Sequence, residues 1–181
     1  MSSPSSLDRD KRIQEEISKL MKDFQVKLTD EDKLDKLEVV FHGPKETLYE
    51  GGVWKIIVDI PSRYPLEPPK FTFANKIFHP NINNESGFVC VDLLDENWHP
   101  DYSLVAIFDQ IIPQLLREPN PKSANNLEAG ALLLCQSKEM FEQRVREYCA
   151  KYAKMQDIQS ESSSGEGSRS NQDQTPGHAN P

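Results

Sequence analysis

A polar stretch that ends in a cysteine is the part of the sequence best suited to chemistry. Residues 79–90 read HPNINNESGFVC and lie between strongly apolar segments. A structural cysteine usually sits among apolar neighbours, whereas a reactive cysteine needs access to solvent and to its substrate. The position of Cys90 after a run of turn-forming residues therefore raises the question of whether its thiol is a nucleophile.

The residues around Cys90 do not supply the usual means of activating a thiol. Asp92 and its acidic neighbours disfavour a thiolate by like-charge repulsion. Neither His79 nor His99 shows the arrangement of a cysteine hydrolase, and His79 is interpreted as a hydrogen-bonding brace for the turn. What remains is a thiol that receives an acyl group from another thioester, because such an exchange requires mainly an accessible thiol.

Two roles are open for Asn81 in this stretch. The attack of an amine on a thioester builds an oxyanion, and the side-chain amide of Asn81 could donate a hydrogen bond to it. Asparagine also favours turns, so a purely structural role explains it equally simply. Cys135 and Cys149 fall near or within helical patterns and are interpreted as packing residues. The sequence has no GxxxxGK[ST] phosphate loop, so the chain is not expected to hydrolyse ATP itself.

Composition and charge exclude several classes of protein. Acidic residues outnumber basic ones by 29 to 21, and the resulting net charge of −8 argues against a nucleic-acid binder. No apolar run approaches the roughly 20 residues of a membrane span. The N-terminus lacks an apolar secretory segment, so an intracellular location is expected. Three cysteines without a CxxC pair fit a reducing compartment and argue against a metal site such as zinc.

The elements that position the cysteine stretch begin with a helix and a sheet. An amphipathic helix is predicted over residues 7–24, with one apolar face formed by Ile13, Ile17, Leu20, Met21 and Phe24. Strands are predicted near residues 24–28, 37–44, 53–61 and 70–75. Short turns between the strands favour a four-strand antiparallel meander behind the helix, and the fold class is therefore α+β.

The second half of the chain is predicted to be a long ordered loop followed by helices. Residues 76–102 lack periodicity but are too apolar for disorder, so they are expected to pack on the domain. Helices are predicted over residues 104–115, 126–134 and 138–155. Pro113 should kink the first of these or end its first part. The tail from residue 159 to 181 has almost no apolar side chains and is predicted to be disordered, which leaves residues 1–158 as the domain.

The sequence resembles the ubiquitin-conjugating enzymes over about residues 5–155. The motifs that carry the resemblance are YEGGVWKIIVDIPSRYPLEPPKFTFANKIFHPNI, GFVCVDLL, the tryptophan of ENWHP and PQLLREPNP. Within the family the chain is most similar to the H-type branch, described as ubiquitinating histones in vitro, through YEGGVWK, NKIFHPNI and PQLL-x-x-PNP. Its tail is less acidic than H-type tails, so histones are not expected to be targets.

The resemblance implies a fold and a reaction. The fold is one N-terminal helix, a four-strand antiparallel meander and C-terminal helices. Cys90 would accept the C-terminal glycine of ubiquitin as a thioester from the activating enzyme, which uses the ATP, so no bound cofactor is expected. A RING-type ligase would then bring a substrate lysine to the thioester. Asn81 would stabilise the oxyanion or order the active-site loop, Ser123 would lie beside the attacking amine, and Asp92 would help position the tail of ubiquitin.

The resemblance also implies which residues meet protein partners. Lys11 and Arg12, which are expected to point outward from the first helix, would bind the activating enzyme, and the ligase would share part of that surface. Leu66 and Pro100 would form the hydrophobic contact with the ligase. Many relatives have phenylalanine in place of Leu66, so the choice of ligase is expected to differ. Neither nucleic acid nor a membrane is an expected partner, and the expected location is the cytoplasm, with the nucleus as a second site.

Two alternatives to ubiquitin conjugation stay open at this point. One is conjugation of a ubiquitin-like modifier, such as that of the neddylation pathway. The other is a non-catalytic variant that binds ubiquitin or a conjugating partner. Such variants typically lack the cysteine, so the presence of Cys90 and of the HPN turn argues against the second alternative.

Overall fold

The computed structural model describes residues 6–30, 33–89, 98–135 and 137–160, and its elements follow the predicted α+β order. The first half comprises helix α1 (Ser6–Leu20) and strands β1 (Gln25–Asp30), β2 (Lys33–His42), β3 (Val53–Asp59) and β4 (Lys70–Phe73). The second half comprises helix α2 (Leu104–Ala106), a π-helical segment (Ile107–Ile111), α3 (Ile112–Arg117), a 3₁₀ turn (Pro121–Ser123), α4 (Leu127–Leu134), α5 (Lys138–Tyr152) and α6 (Met155–Ser160). Among these described residues, no helix is long and apolar enough to cross a membrane.

The four strands form one antiparallel sheet in the order β1-β2-β3-β4, as the predicted meander requires. The alternation predicted for β3 is confirmed, because Trp54, Ile56 and Val58 are fully buried on one face. On that face Phe108 of the π-helical segment packs against Phe41 of β2, with ring centroids 6.4 Å apart. Burial of this apolar face beneath the helices provides the main driving force for the fold.

Helix α1 is shorter than the apolar pattern predicts. It ends at Leu20 rather than at Phe24, and Met21, which was expected to point inward, is 48% exposed. After Leu20 the chain tightens, and the amide of Asp23 bonds to the carbonyl three residues before it. The resulting turn directs the ring of Phe24 onto Phe108, with the centroids 5.4 Å apart. An apolar side chain just beyond a helix can therefore reach the core from a turn.

The expected disturbance at Pro113 takes the form of a π-helical segment. The amide of Ile112 bonds to the carbonyl of Ile107, five residues earlier, and Pro113 then lies in the first turn of α3. A proline has no N–H to donate, and its ring crowds the carbonyl four residues before it, which here belongs to Asp109. The wider turn accommodates that carbonyl and allows the helical path to continue.

The loop after β4 is ordered wherever it is described, as its apolar content predicts. Ile77, Phe78 and Val89 are buried, and the amide of Val89 donates to the carbonyl of Phe71. Gly87 turns the chain with a φ of +71°, and a Cβ at this position would meet the carbonyl oxygen of Phe73 at 1.9 Å. Only glycine fits such an approach, so the end of the loop is held against β4.

Candidate active site

The HPN turn is built on a buried, neutral histidine. The Nδ1 atom of His79 accepts a hydrogen bond from the amide of Asn81 at 3.0 Å, and Nε2 donates to the carbonyl of Leu115 at 2.9 Å. Complete burial lowers the pKa of His79 to about 4, although the bond to Leu115 opposes this shift. The ring is therefore uncharged at neutral pH and braces the turn, as its sequence context predicts.

The side chain of Asn81 is committed to internal hydrogen bonds. Its Nδ2 atom donates to the carbonyls of Asn120 at 2.8 Å and of Ser123 at 2.9 Å, and its Oδ1 atom accepts from the amide of Asn120 at 2.8 Å. Both N–H groups are thus used, and the residue is only 1% exposed. This arrangement orders the segment that carries Ser123 and leaves neither N–H group of Asn81 free for an oxyanion.

The backbone of the HPN turn holds the other end of the same segment. The carbonyl of Pro80 accepts hydrogen bonds from the amides of Asn125 and Asn126 at 2.8 and 2.9 Å. The Oδ1 atom of Asn126 in turn accepts from the amide of Ala129 and caps the start of α4. Residues 120–126 are therefore fixed to the turn at both ends.

The predicted residues Asn81 and Ser123 are brought together by these contacts. Ser123 ends the 3₁₀ turn and lies exposed at the surface, while its carbonyl accepts from Asn81. The following residue, Ala124, lies directly under α4, since a Cβ built on Gly130 would be 2.6 Å from the Cβ of Ala124. The lack of a side chain at Gly130 thus permits α4 to approach this segment closely.

An antiparallel β-bridge next to the HPN turn ends one residue before the predicted nucleophile in the sequence. Ile82, the residue after Asn81, forms an antiparallel bridge with Val89. Val89 immediately precedes Cys90 in the sequence, and both Cys90 and Asp92 lie outside the described residues. The structure describes the HPN turn, the bridge between Ile82 and Val89 and the ordered segment that carries Ser123.

The other two cysteines occupy different environments. Cys149 is half-buried, as expected for a packing residue, and burial raises the pKa of its thiol to about 11. Cys135, which was also predicted to be a packing residue, is exposed instead. It follows the last residue of α4, where the helix has ended and its apolar face no longer covers the side chain.

The four predicted partner-binding residues lie on α1 and on two neighbouring loops. Lys11 is exposed, and Leu66 and Pro100 are each partly exposed. Arg12 does not point freely outward as expected. Its Nε atom bonds to Glu16 at 2.8 Å, and its NH2 group donates to the carbonyls of Pro100 and Tyr102. Arg12 thus connects α1 to the loop that contains Pro100.

Sequence reasoning missed Glu16, which is 4% exposed and accepts hydrogen bonds from three groups. A signal was available, because Glu16 falls between Ile13 and Leu20 on the apolar face of α1. A carboxylate at a core position of an amphipathic helix must be paired, since burying an isolated charge is very costly.

Comparisons with known proteins show which family this chain resembles in sequence and fold. The family model described as ubiquitin-conjugating enzyme matches residues 10–149. The chain is 43% identical over 162 residues to ubiquitin-conjugating enzyme E2 6 of Arabidopsis thaliana, covering 89% of this chain and 85% of the relative. It is 41% identical over 191 residues to the ubiquitin-conjugating enzyme E2-23 kDa of Triticum aestivum, covering all of both chains. A solved ubiquitin-conjugating enzyme domain of Toxoplasma gondii superimposes with a TM-score of 0.72 at 26% identity, covering 80% of this chain and 99% of the domain.

The chain belongs to the ubiquitin-conjugating enzymes. Its activity is that of the family, which receives ubiquitin from an activating enzyme as a thioester and transfers it to a lysine, usually with a ligase. As for the family in general, the partners in this activity are ubiquitin, an activating enzyme and a ligase.

Proposed function

We propose that Cys90 is the residue that carries ubiquitin in this enzyme. Its thiol attacks the thioester between ubiquitin and the activating enzyme, a new thioester forms on Cys90, and the thiol of the activating enzyme leaves. The amine of a substrate lysine then attacks the carbonyl of the new thioester, an isopeptide bond forms and the thiol of Cys90 is released. The activating enzyme has already used the ATP, so the proposed cycle needs no cofactor bound to this chain.

The observation that carries this proposal is the pair of contacts that flank Cys90. Val89 bridges to Ile82 beside the HPN turn, and Asn81 links that turn to the segment that ends in Ser123. Cys90 is the next residue in the sequence after Val89, and the HPN turn with the segment that carries Ser123 forms a rigid polar surface suited to receiving an acceptor amine. Within this proposal Asp92 helps to position the tail of ubiquitin.

The proposed site works by orienting the lysine rather than by a strong base. A lysine amine has an ordinary pKa of about 10.4 and must lose a proton before it attacks. His79 cannot accept that proton at neutral pH, because both ring nitrogens are used and burial keeps its pKa near 4. We assign Ser123 to the position beside the incoming amine, since it is exposed on the segment held by Asn81. Orientation and desolvation at such a surface favour the neutral amine.

The partner surfaces follow from the same proposal. Lys11, exposed on α1, meets the activating enzyme, and Leu66 and Pro100 form the contact with a RING-type ligase. Arg12 belongs to the same surface through its bonds to the loop that contains Pro100. We assign the enzyme to the cytoplasm and nucleus, because a free catalytic thiol is maintained in reducing compartments.

Charging assays test this proposal directly. Wild-type protein incubated with ubiquitin-activating enzyme, ATP and ubiquitin should form an adduct that reductant removes. Cys90→Ala should abolish the adduct, and Cys90→Ser should give an ester that resists reductant, since an oxygen replaces the sulfur. As matched controls, Cys135→Ser and Cys149→Ser should charge like wild type.

Parallel reactions with the activating enzymes of ubiquitin-like modifiers show which modifier the enzyme accepts. The proposal requires the ubiquitin reaction to be the faster one. An undiminished adduct in Cys90→Ala, or the absence of any adduct in wild type, contradicts it.

A further inference from the structure

Helix α1 carries a buried carboxylate that joins three parts of the chain. The Oε2 atom of Glu16 accepts hydrogen bonds from the hydroxyl of Tyr64 at 2.6 Å and from the amide of Leu104 at 2.8 Å. Its Oε1 atom accepts from Nε of Arg12 at 2.8 Å. Glu16 thereby links its own helix to the loop before β4 and to the first residue of α2. A buried charge with three such donors is held in a fixed position.

Arg12 extends this network to a fourth part of the chain. Its NH2 group donates to the carbonyls of Pro100 and Tyr102, and its guanidinium lies 5.6 Å from the ring centroid of Tyr64. The side chain of Arg12 is 32% exposed, so most of it is covered by these contacts. Its NH2 group is directed toward the protein's own backbone, and its Nε atom toward Glu16.

The two loops held by Glu16 and Arg12 also contact each other. The Nε1 atom of Trp98 donates to the carbonyl of Pro65 at 2.7 Å, and the rings of Trp98 and Tyr64 are 6.2 Å apart between centroids. Pro65 precedes Leu66, and Trp98 lies two residues before Pro100. One network therefore sets the positions of both residues assigned to the ligase contact relative to α1.

We propose that Glu16 and Arg12 are positioning residues, which hold α1 and the two loops in the single arrangement that protein partners recognise. This inference rests on the proposed function, because that function assigns the surface to the partners. It gives Lys11 and Arg12 different roles: Lys11 meets the activating enzyme directly, whereas Arg12 acts through the loops it holds.

The indole N–H of Trp98 provides a direct readout of this arrangement. The chain has two tryptophans, and the Trp98→Phe variant assigns their two indole signals in a proton–nitrogen NMR spectrum. Glu16→Gln keeps the shape of the side chain but replaces one acceptor oxygen with a donor, so at least one of the three donors loses its partner. We expect Glu16→Gln and Arg12→Gln to shift the Trp98 signal and to leave the Trp54 signal in place. Glu15→Gln, an exposed change on the same helix, should leave both signals in place.

Charging by ubiquitin-activating enzyme separates positioning from direct recognition. Glu16→Gln leaves Arg12 intact, yet it should raise the KM for this protein by about threefold or more, as expected for coupled charged groups. The kcat should be unchanged, because the described hydrogen bonds of the network do not involve the HPN turn or the segment 120–126. The double variant Glu16→Gln/Arg12→Gln should be no worse than the more impaired single variant, since both changes release the same loops.

Each outcome supports or overturns the inference. Unchanged KM and an unchanged Trp98 signal in Glu16→Gln would overturn it, and so would independent, multiplying effects in the double variant. Failure of the wild type to charge would instead contradict the proposed function. The Trp98 signal would still decide whether Glu16 and Arg12 position the loops.

Discussion

At the scale of single residues, the candidate site depends on two buried polar side chains, His79 and Asn81, whose hydrogen-bonding groups are paired. His79 and Asn81 would each be costly in the interior without partners, and together they make five hydrogen bonds to backbone groups and to each other. Their side chains convert a short turn into a rigid support. The oxyanion role considered for Asn81 is less compatible with this structure than the ordering role, because both of its N–H groups are already donated.

The ordering role of Asn81 predicts a loss of stability as well as of transfer. Asn81→Ala removes one donor from each of the carbonyls of Asn120 and Ser123 and removes the acceptor of the Asn120 amide. The free energy of unfolding should therefore fall by about 2 kcal/mol or more. Urea denaturation measures this loss, and single-turnover discharge to free lysine measures transfer, which should fall as the segment loosens. A variant with wild-type stability but collapsed transfer would favour the oxyanion role instead.

The role of a single residue could be predicted from the sequence where its residue type usually plays one structural role in such a context. A histidine in a turn between apolar segments is predicted to hold the turn by hydrogen bonds, and His79 does so. Asn81 could not be assigned, because its partners at Asn120 and Ser123 lie about forty positions away and are defined only by the fold. Glu16 was missed because helical periodicity was used to find apolar residues, and a charged residue on the same face was passed over.

At the scale of elements, the approach of α4 to the segment 120–126 limits which residue can occupy position 130. Only a glycine at position 130 leaves space for the Cβ of Ala124, and the carbonyl of Pro121 would be 3.3 Å from a new Cβ. The close packing of Ala124 under α4 helps to hold the segment that carries Ser123.

Gly130→Ala is expected to destabilise the protein although it improves helix propensity. Propensity alone predicts a gain of about 1 kcal/mol, but a contact of 2.6 Å forces α4 away from the segment, and overpacking of this kind costs about 1–3 kcal/mol. Denaturation should show a net loss, accompanied by slower discharge to lysine. Ala124→Gly in the same chain removes the opposing methyl group and should restore most of both losses; no recovery would show that the two positions do not compete for space.

The existence of the elements could be predicted far better than their ends. The period-2 pattern of β3 and the apolar face of α1 are direct consequences of which side faces the core, so both were predicted correctly. The end of α1 was misplaced because Phe24 reaches the same core from a turn. The π-helical segment before Pro113 was predicted only as a disturbance, since the sequence does not show which wider turn relieves a proline.

At the scale of the whole molecule, the core and the candidate site both need the two halves of the chain. The sheet, α1 and the C-terminal helices all contribute to the core, and the HPN turn of the first half bonds to residues 120–126 of the second half. Because the two halves meet at the site, the sequence reveals the parts of the site but not their distances. The order of helices and strands along the chain is sufficient to predict the α+β class, and this prediction was correct.

The boundary between domain and tail can be tested by truncation. Ile158 of α6 is 8% exposed, so the last helix contributes to the core. A chain that ends at Ser160 should retain the full free energy of unfolding, because the remaining tail is predicted to be disordered. A chain that ends at Lys154 should lose about 2 kcal/mol, the value of burying one isoleucine. Ile158→Ala in the full chain should reproduce most of that loss, and a large loss on ending at Ser160 would show that the tail is part of the folded unit.

The junction between β3 and the end of α5 has a consequence for how the protein is made. The amide of Val53 donates to the carbonyl of Ala153, and Nδ2 of Asn75 donates to the carbonyls of Val53 and Tyr152. The contacts to Tyr152 and Ala153 join positions 53 and 75 to the end of the domain, so a ribosome must have synthesised nearly the whole domain before they can form. Contacts between distant positions also form late and slowly. Until residues 152 and 153 are synthesised, the sheet lacks these contacts at the start of β3. This is the interval in which a chaperone could bind the growing chain.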